Sequence, residues 1–208
     1  MVGSGRIRSM SLYKTRTIDS HPSVIEWLPA EHLGQMKVDS NIRPWLIGKG
    51  MLTLRLKAVC GERFVLRLVN QWTGILNPDH RLSLQSTDSA GLFRDVEMCC
   101  DNTVWVFAET VIPDSTLSLY PWLAELGDAA LGETLVGLSG VERSSYEYAW
   151  LGRNESLTER ALENTPLDSQ GLWARRSLFF LRGGALLVQE IFLPSMGSAI
   201  PLRLGAGR

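Results

Sequence analysis

Two long apolar hairpins restrict the folds available to this chain of 208 residues more than any other feature. The first joins strands predicted over residues 92–100 and 103–112 through the short turn Asp101-Asn102. The second joins residues 172–181 to residues 185–193 through a pair of glycines. Strands connected by such short turns run antiparallel. The sequence therefore predicts an antiparallel sheet at the centre of the fold.

The rest of the chain completes an α+β pattern around that sheet. A further strand is predicted over residues 63–69, and another lies around 143–149. Capping residues predict helices that begin near residues 40 and 114, whereas residues 51–59 fit either a strand or a helix. We therefore predict one antiparallel sheet of about six strands with helices covering one face.

The chain length predicts one domain with a single core. Residues 1–20 are polar and lack periodicity, which predicts a mobile N-terminal tail, and residues 21–208 form the predicted domain. Residues 152–170 are polar and contain Pro166, so they are predicted to form a loop or flap.

Composition excludes several classes of protein. A net charge of −1 gives no field that would attract nucleic acid or an anionic membrane. No apolar stretch is long enough to span a bilayer, and the first residues lack the apolar core of a secretion signal. The three cysteines are too few for a disulfide framework, so we predict buried thiols. These features together predict a cytoplasmic protein without nucleic-acid or membrane partners, and we expect a monomer.

Common catalytic motifs are missing from the sequence. It contains no glycine-rich phosphate loop, no dinucleotide fingerprint and no Gly-x-Ser-x-Gly nucleophile elbow. The three histidines, His21, His32 and His80, lie far apart without a carboxylate or cysteine at metal-ligand spacing. A paired-carboxylate hydrolase using Glu109 and Glu190 is disfavoured, since strand alternation places Glu109 on the face opposite to its apolar neighbours.

Two charges lie on apolar strand faces, where they need compensation. In the last predicted strand Glu190 shares a face with Leu186, Val188 and Phe192. In an earlier strand Arg94 shares a face with Leu92, Val96 and Met98. An ion on such a face costs several kcal/mol unless a partner compensates it. The pattern indicates either a buried salt bridge or a pocket for a ligand with an acidic end and a polar end.

Four ordered segments of the chain resemble chorismate lyase, the family that converts chorismate to 4-hydroxybenzoate and pyruvate at the entry to ubiquinone synthesis. The resemblance spans roughly residues 45–195. The segments are GMLTLRL at 50–56; FRDV at 93–96 with WVFAETVIP at 105–113; LG at 126–127 with LG at 131–132; and LWARRS at 172–177 with LLVQEIFLP at 186–194.

The resemblance implies a fold, a reaction and four site residues. The family's ligand-contacting arginine falls on Arg94 and its glutamate on Glu190, which would act as the catalytic pair. Two further substrate contacts, through backbone amides, fall on Leu52 and Leu131. The implied fold is an antiparallel sheet with helices, in which flap segments enclose the ligand. The implied reaction needs no cofactor or metal, because loss of pyruvate makes the ring aromatic.

Other charged residues near these segments have less certain roles. Where the family usually has arginine, this chain has Glu109, which could alter a salt bridge or the entrance to the pocket. Arg175 and Arg176 point to opposite faces of their strand, so we expect one in solvent, while the other could add to the positive charge of the pocket. Arg143 is expected to support the fold rather than the chemistry.

A second function is compatible with the same fold. The effector-binding domains of some transcriptional regulators resemble the chorismate lyase fold, so the chain could be a non-catalytic sensor of a small aromatic acid. Such regulators carry a DNA-binding helical module ahead of the sensor. No helix-turn-helix pattern precedes the matched region here, which favours the enzyme.

Overall fold

One antiparallel sheet of eight strands organises residues 25–165 and 169–198, the part of the chain described by this computed structural model. The strands follow the spatial order β1-β6-β7-β8-β4-β3-β2, and β5 pairs with β7 beside this path. Their bounds are β1 (Leu28–Pro29), β2 (Phe64–Ile75), β3 (Ala90–Cys100), β4 (Thr103–Pro113), β5 (Glu142–Arg143), β6 (Glu147–Gly152), β7 (Gly171–Leu181) and β8 (Gly184–Phe192).

Short helices connect and cover the strands. They are α1 (Arg43–Ile47), α2 (Leu52–Cys60), α3 (Pro78–Leu84), α4 (Asp114–Leu119), α5 (Leu131–Val136), α6 (Ser156–Leu162) and α7 (Ser195–Ser198), together with 3₁₀ segments at Ala30–Gln35, Gly61–Arg63 and Pro121–Glu125. In residues 25–165 and 169–198, no helix has the length and apolar character needed to cross a membrane. The predicted tail and His21 lie outside the described residues.

The antiparallel α+β class predicted from the sequence is confirmed, and so are the two hairpins. Asp101 and Asn102 take positive φ values of 50° and 62°, the left-handed conformation that a two-residue hairpin turn requires. Gly183, with φ 79°, supplies the same conformation between β7 and β8. Of the ambiguous residues 51–59, all but Met51 fall in α2, whose buried Leu52 and Leu56 face the sheet.

Helices cover both faces of the sheet, whereas the sequence predicted helices on one face. On the face that carries Val106, α1 and α2 enclose one part of the core. On the face that carries Phe107, α6 packs through Leu157 and Ala161. The sequence predicts a loop over residues 152–170, because polar residues outnumber apolar ones there. Part of this segment forms α6, since the few apolar residues of such a short helix stabilise it only when they pack on the sheet.

The prediction of three buried thiols is wrong for two of the cysteines. Cys60 ends α2 and Cys100 ends β3, and packing of that helix on the sheet joins them in a disulfide across 40 residues of sequence. Cys99 stays a buried free thiol, because it faces the other side of the sheet. The pairing depends on tertiary packing, so the cysteine count could not reveal it.

Candidate active site

A cavity on the face covered by α2 and α5 brings together all four residues singled out from the sequence. Leu52, Arg94, Leu131 and Glu190 all line it, and its floor is apolar strand surface that includes Val96, Met98, Ala108 and Val188. The cavity volume is about 50 Å³, which is room for a few water molecules.

The strand register sets the separation between the two charged residues. Arg94 of β3 is level with Thr110 of β4, which is level with Val188 of β8. Glu190 lies on the same face of β8, two residues further along. Their Cα atoms are two interstrand spacings apart across the sheet and two residues apart along the strand direction, which together give a separation of about 12 Å. The register therefore places the two side chains at different ends of the cavity.

Arg94 is buried and retains an unused donor. Its Nη2 donates hydrogen bonds to the carbonyl oxygens of Gly127 and Ala129, at 2.7 and 2.9 Å, in the loop before α5. Its Nε is buried without a partner in the structure. Burial lowers the pKa of Arg94, but a guanidinium remains charged in proteins. Two neutral carbonyls orient this charge without neutralising it, which leaves Arg94 able to bind an anion.

Glu190 is fixed by Arg175, a residue whose side chain is fully buried. Arg175 Nε donates to Glu190 Oε2 at 2.5 Å. Its Nη1 donates to the carbonyl oxygens of Trp45, Leu46 and Gly48, at the end of α1. The buried salt bridge of Glu190 thus forms with Arg175, and the alternative pairing with Arg94 does not occur between these two described residues.

Leu52 and Leu131 contribute two helix starts to the cavity. They are the first residues of α2 and α5, and their side chains are buried in the core. The residues before them, Met51 and Ala130, provide no side-chain cap. The first amides of a helix have no partner within the helix, so both helix starts offer N–H groups at the cavity wall.

Comparison with known proteins agrees with this geometry. The chorismate lyase family model matches residues 21–199. The chain belongs to the chorismate lyase family. A probable chorismate pyruvate-lyase of Psychromonas ingrahamii is 33% identical over 162 residues, covering 77% of this chain and 87% of that protein. Another from Azoarcus is 34% identical, covering 76% and 86%. The chorismate pyruvate-lyase of Erwinia tasmaniensis is 28% identical, covering 83% and 88%.

Solved structures show the same fold at low sequence identity. The effector domain of PhnF from Mycobacterium smegmatis superposes with a TM-score of 0.53 at 15% identity, covering 72% of this chain and 92% of that one. The C-terminal domain of the histidine utilization repressor from Pseudomonas syringae gives 0.50 at 9% identity, covering 64% and 94%. At such identities the likeness concerns the fold alone.

Two further arginines lie at the site of this chorismate lyase family member. Arg143 lines the cavity, although it was expected only to support the fold. Of the pair Arg175 and Arg176, one was expected in solvent and the other as a possible contributor of positive charge to the pocket, and Arg175 lies on the pocket side, fully buried and paired with Glu190. Counting back from the observed turn, Arg182-Gly183, pairs Arg175 with Glu190, whereas the predicted turn, Gly183-Gly184, would have paired it with Phe192.

Arg176 corrects the second half of the same prediction. It is also buried, and it donates to Asp79 and Glu147 at 2.7 Å on the face opposite to the cavity. Neither arginine is in solvent, because β7 lies inside the sheet and both of its faces are covered. A strand with exposed charge on one face was the simpler expectation from alternation alone.

Glu109, which replaces the arginine usual in the family, belongs to a second group of interacting charged and polar side chains. We call this group the Arg160 cluster and define it as Asp95, Glu109, Arg160 and Gln189. Arg160 of α6 donates to Asp95 Oδ2 at 2.5 Å and to Glu109 Oε2. Gln189 donates to the other oxygen of Glu109 at 2.7 Å. The cluster lies on the face opposite to the cavity, so Glu109 alters a salt bridge there and does not line the chorismate lyase site.

Proposed function

We propose that this protein is a chorismate–pyruvate lyase that forms 4-hydroxybenzoate and pyruvate, the reaction that begins ubiquinone synthesis. The observation that carries the proposal is one cavity that contains a buried arginine, Arg94, without a salt bridge to another described residue and, at its other end on the same face of the sheet, a carboxylate held in place by a second arginine. Such a cavity suits a ligand with an acid group and a hydroxyl group at opposite ends. Family membership supplies the identity of that ligand.

The reaction is an elimination that leaves an aromatic ring. The ether bond between the ring and the enolpyruvyl group breaks, and the neighbouring ring carbon, which bears the hydroxyl, loses its hydrogen. The released enolpyruvate gains a proton and becomes pyruvate. No electron is transferred to or from the protein. The demands on the protein are therefore orientation of the dianion, exclusion of water and support for one proton movement.

The residues of the cavity divide these tasks by position. Arg94 binds an acid group of the substrate, with its free Nε and the helix-start amides near Leu131 as further donors. Glu190 accepts a hydrogen bond from the ring hydroxyl, or assists the proton as the ether breaks. Arg175 positions Glu190 through Oε2, which leaves Oε1 for the substrate. The apolar floor and the covering helices exclude water, which strengthens each of these interactions.

A direct assay tests the proposal. The purified protein is incubated with chorismate, and 4-hydroxybenzoate and pyruvate are measured separately. We expect the two products in equal amounts, in proportion to enzyme concentration and without added metal or redox cofactor. Folded protein that forms neither product would contradict the proposal, and tight binding of 4-hydroxybenzoate without turnover would favour the sensor instead.

A further inference from the structure

Arg143 is held in a defined position at the cavity, where it shares its ionic partner, Glu190, with Arg175. Its Nε donates to the neutral Ser177 Oγ at 2.8 Å. Its Nη2 lies 3.7 Å from Glu190 Oε2, which is too far for a hydrogen bond, and Arg175 already donates to that oxygen. The Arg143 guanidinium lies over the rings of Tyr146 and Phe179, 4.4 and 4.7 Å from their centroids. These contacts orient the group, and a carboxylate shared by two guanidinium groups compensates only one of their two positive charges.

Tyr146 also explains how two guanidinium groups are tolerated beside one carboxylate. Its ring contacts both of them, with the Arg143 and Arg175 guanidinium groups 4.4 and 4.2 Å from its centroid. The negative face of an aromatic ring attracts a nearby cation. Burial acts first to lower the pKa of Arg143, Glu190 and Tyr146 raise it, and proximity to Arg175 lowers it again. An anionic ligand beside Arg143 would add to the stabilisation that Glu190 provides.

The charges around the cavity match a ligand with two negative groups. Arg94 and Arg143 line the cavity as cations, and Glu190 lines it as the anion, already paired with Arg175. Because Glu190 balances one of the three guanidinium charges, the side chains of Arg94, Arg143, Arg175 and Glu190 together carry a net charge of +2. Chorismate carries two carboxylates, one on the ring and one on the enolpyruvyl group. This net charge is equal in size and opposite in sign to that of chorismate, whereas 4-hydroxybenzoate has one carboxylate fewer.

The position of Arg143 beside Glu190 decides which carboxylate it meets. In chorismate the hydroxyl and the enolpyruvyl ether occupy neighbouring ring carbons, and the ring carboxylate lies across the ring from the hydroxyl. If Glu190 contacts the hydroxyl, the enolpyruvyl group lies beside Glu190 and the ring carboxylate lies toward Arg94. We propose that Arg143 binds the enolpyruvyl carboxylate, and thereby makes the site distinguish substrate from product. This inference rests on the proposed lyase function.

The test compares chorismate with 4-hydroxybenzoate in the variant Arg143→Gln. We expect kcat/KM for chorismate to fall by about 10- to 100-fold, because one charged contact is lost. The inhibition constant of 4-hydroxybenzoate should change by less than about threefold, because the product lacks the group that Arg143 binds. Arg143→Lys should recover part of the loss, since it restores the charge without the planar fork. Arg63→Gln, at an exposed arginine paired with Asp101, is the matched control and should change neither value.

The outcomes separate this inference from the function on which it rests. Wild-type turnover together with equal losses for substrate and product in both Arg143 variants would overturn the role of Arg143 and leave the lyase function standing. A wild-type protein that neither converts nor binds chorismate would overturn both. Thermal unfolding of each variant identifies a purely structural effect, which would lower the midpoint and weaken both ligands together.

Discussion

Replacing Glu190 by glutamine should lower kcat for chorismate by about 10²- to 10³-fold while the protein stays folded. Glutamine keeps the volume of the side chain and an oxygen that can accept the hydrogen bond from Arg175 Nε. It removes the charge and the ability to take up the proton that the ring carbon bearing the hydroxyl loses. Turnover, measured as release of pyruvate, should therefore fall far more than affinity for 4-hydroxybenzoate.

Glutamine is a sharper choice than alanine at this position. Arg175 is fully buried, and its one ionic partner within the described residues is Glu190. An alanine would leave that guanidinium buried without a counter-ion, at a cost of about 3–5 kcal/mol of folding free energy. Loss of activity in such a variant would not distinguish catalysis from unfolding. Glu147→Gln is the matched control, because Glu147 is paired with Arg176 on the opposite face of the sheet.

Arg94→Gln should show the complementary pattern. Arg94 is proposed to bind the ring carboxylate, which substrate and product share. The variant should therefore weaken both chorismate and 4-hydroxybenzoate by about 100-fold, whereas Glu190→Gln acts mainly on kcat. Full turnover in both variants would remove Arg94 and Glu190 from the site. If both variants lowered kcat and the affinity for 4-hydroxybenzoate to the same extent, Arg94 and Glu190 would not divide binding and catalysis between them.

Much of the fold could be predicted because its decisive signals are local. The turn at Asp101-Asn102 and the alternation along β3 and β8 identify antiparallel strands from neighbouring residues alone. The same alternation placed Arg94 and Glu190 on apolar faces, and the structure places both at one cavity. Helix α6 escaped prediction because its apolar stripe is short, and its stability depends on the sheet beneath it.

The partners of the charged residues were harder to predict than the residues themselves. Arg94 and Glu190 were the natural pair by sign, yet Arg175 binds Glu190 and two backbone carbonyls bind Arg94. Pairing depends on strand order and register, because β4 separates β3 from β8. Arg143 reaches the cavity from a two-residue strand, which is too short for any periodic pattern to reveal.

Replacing Arg160 by methionine should lower the free energy of unfolding by about 3–5 kcal/mol, the cost of removing one partner from a buried ionic group. Asp95 and Glu109 face each other across β3 and β4, and both are buried. Arg160 is the cation that donates to both. Methionine retains apolar contact with the rings of Trp72 and Phe107, so the loss reports the charge. Urea unfolding of the variant measures it.

A partial rescue should follow from removal of one carboxylate. The double variant Arg160→Met with Asp95→Asn keeps a single carboxylate in the Arg160 cluster, Glu109, which still accepts a hydrogen bond from Gln189. It should be more stable than Arg160→Met alone, because two like charges no longer face each other. The kinetic constants of the folded protein should stay unchanged in both variants, since the Arg160 cluster lies across the sheet from the cavity. If the double variant had the same free energy of unfolding as Arg160→Met alone, repulsion between the two carboxylates would not be the cause of the destabilisation.

The pH dependence of stability provides an independent signature of the same cluster. Burial, reinforced by the charge of Glu109, raises the pKa of Asp95 from 3.8 to about 7 despite the attraction of Arg160. Between these values the folded protein binds a proton that the unfolded chain has released, so stability falls as pH rises through this range. From pH 5 to pH 8 the contribution of Asp95 should fall by about 2–3 kcal/mol.

The Asp95→Asn variant isolates that contribution from the other groups that titrate in the same range. Burial lowers the pKa of His80, and this acts in the opposite direction, because a histidine buried in its neutral form favours folding less as pH falls. His80 is common to both proteins, so it cancels when wild type and Asp95→Asn are compared at each pH. For Glu109 burial acts to raise the pKa, but Arg160 outweighs it and the pKa stays below its ordinary value, outside this range. We expect the stability advantage of Asp95→Asn over wild type to grow from pH 5 to pH 8, and a constant difference would show that Asp95 keeps one protonation state throughout.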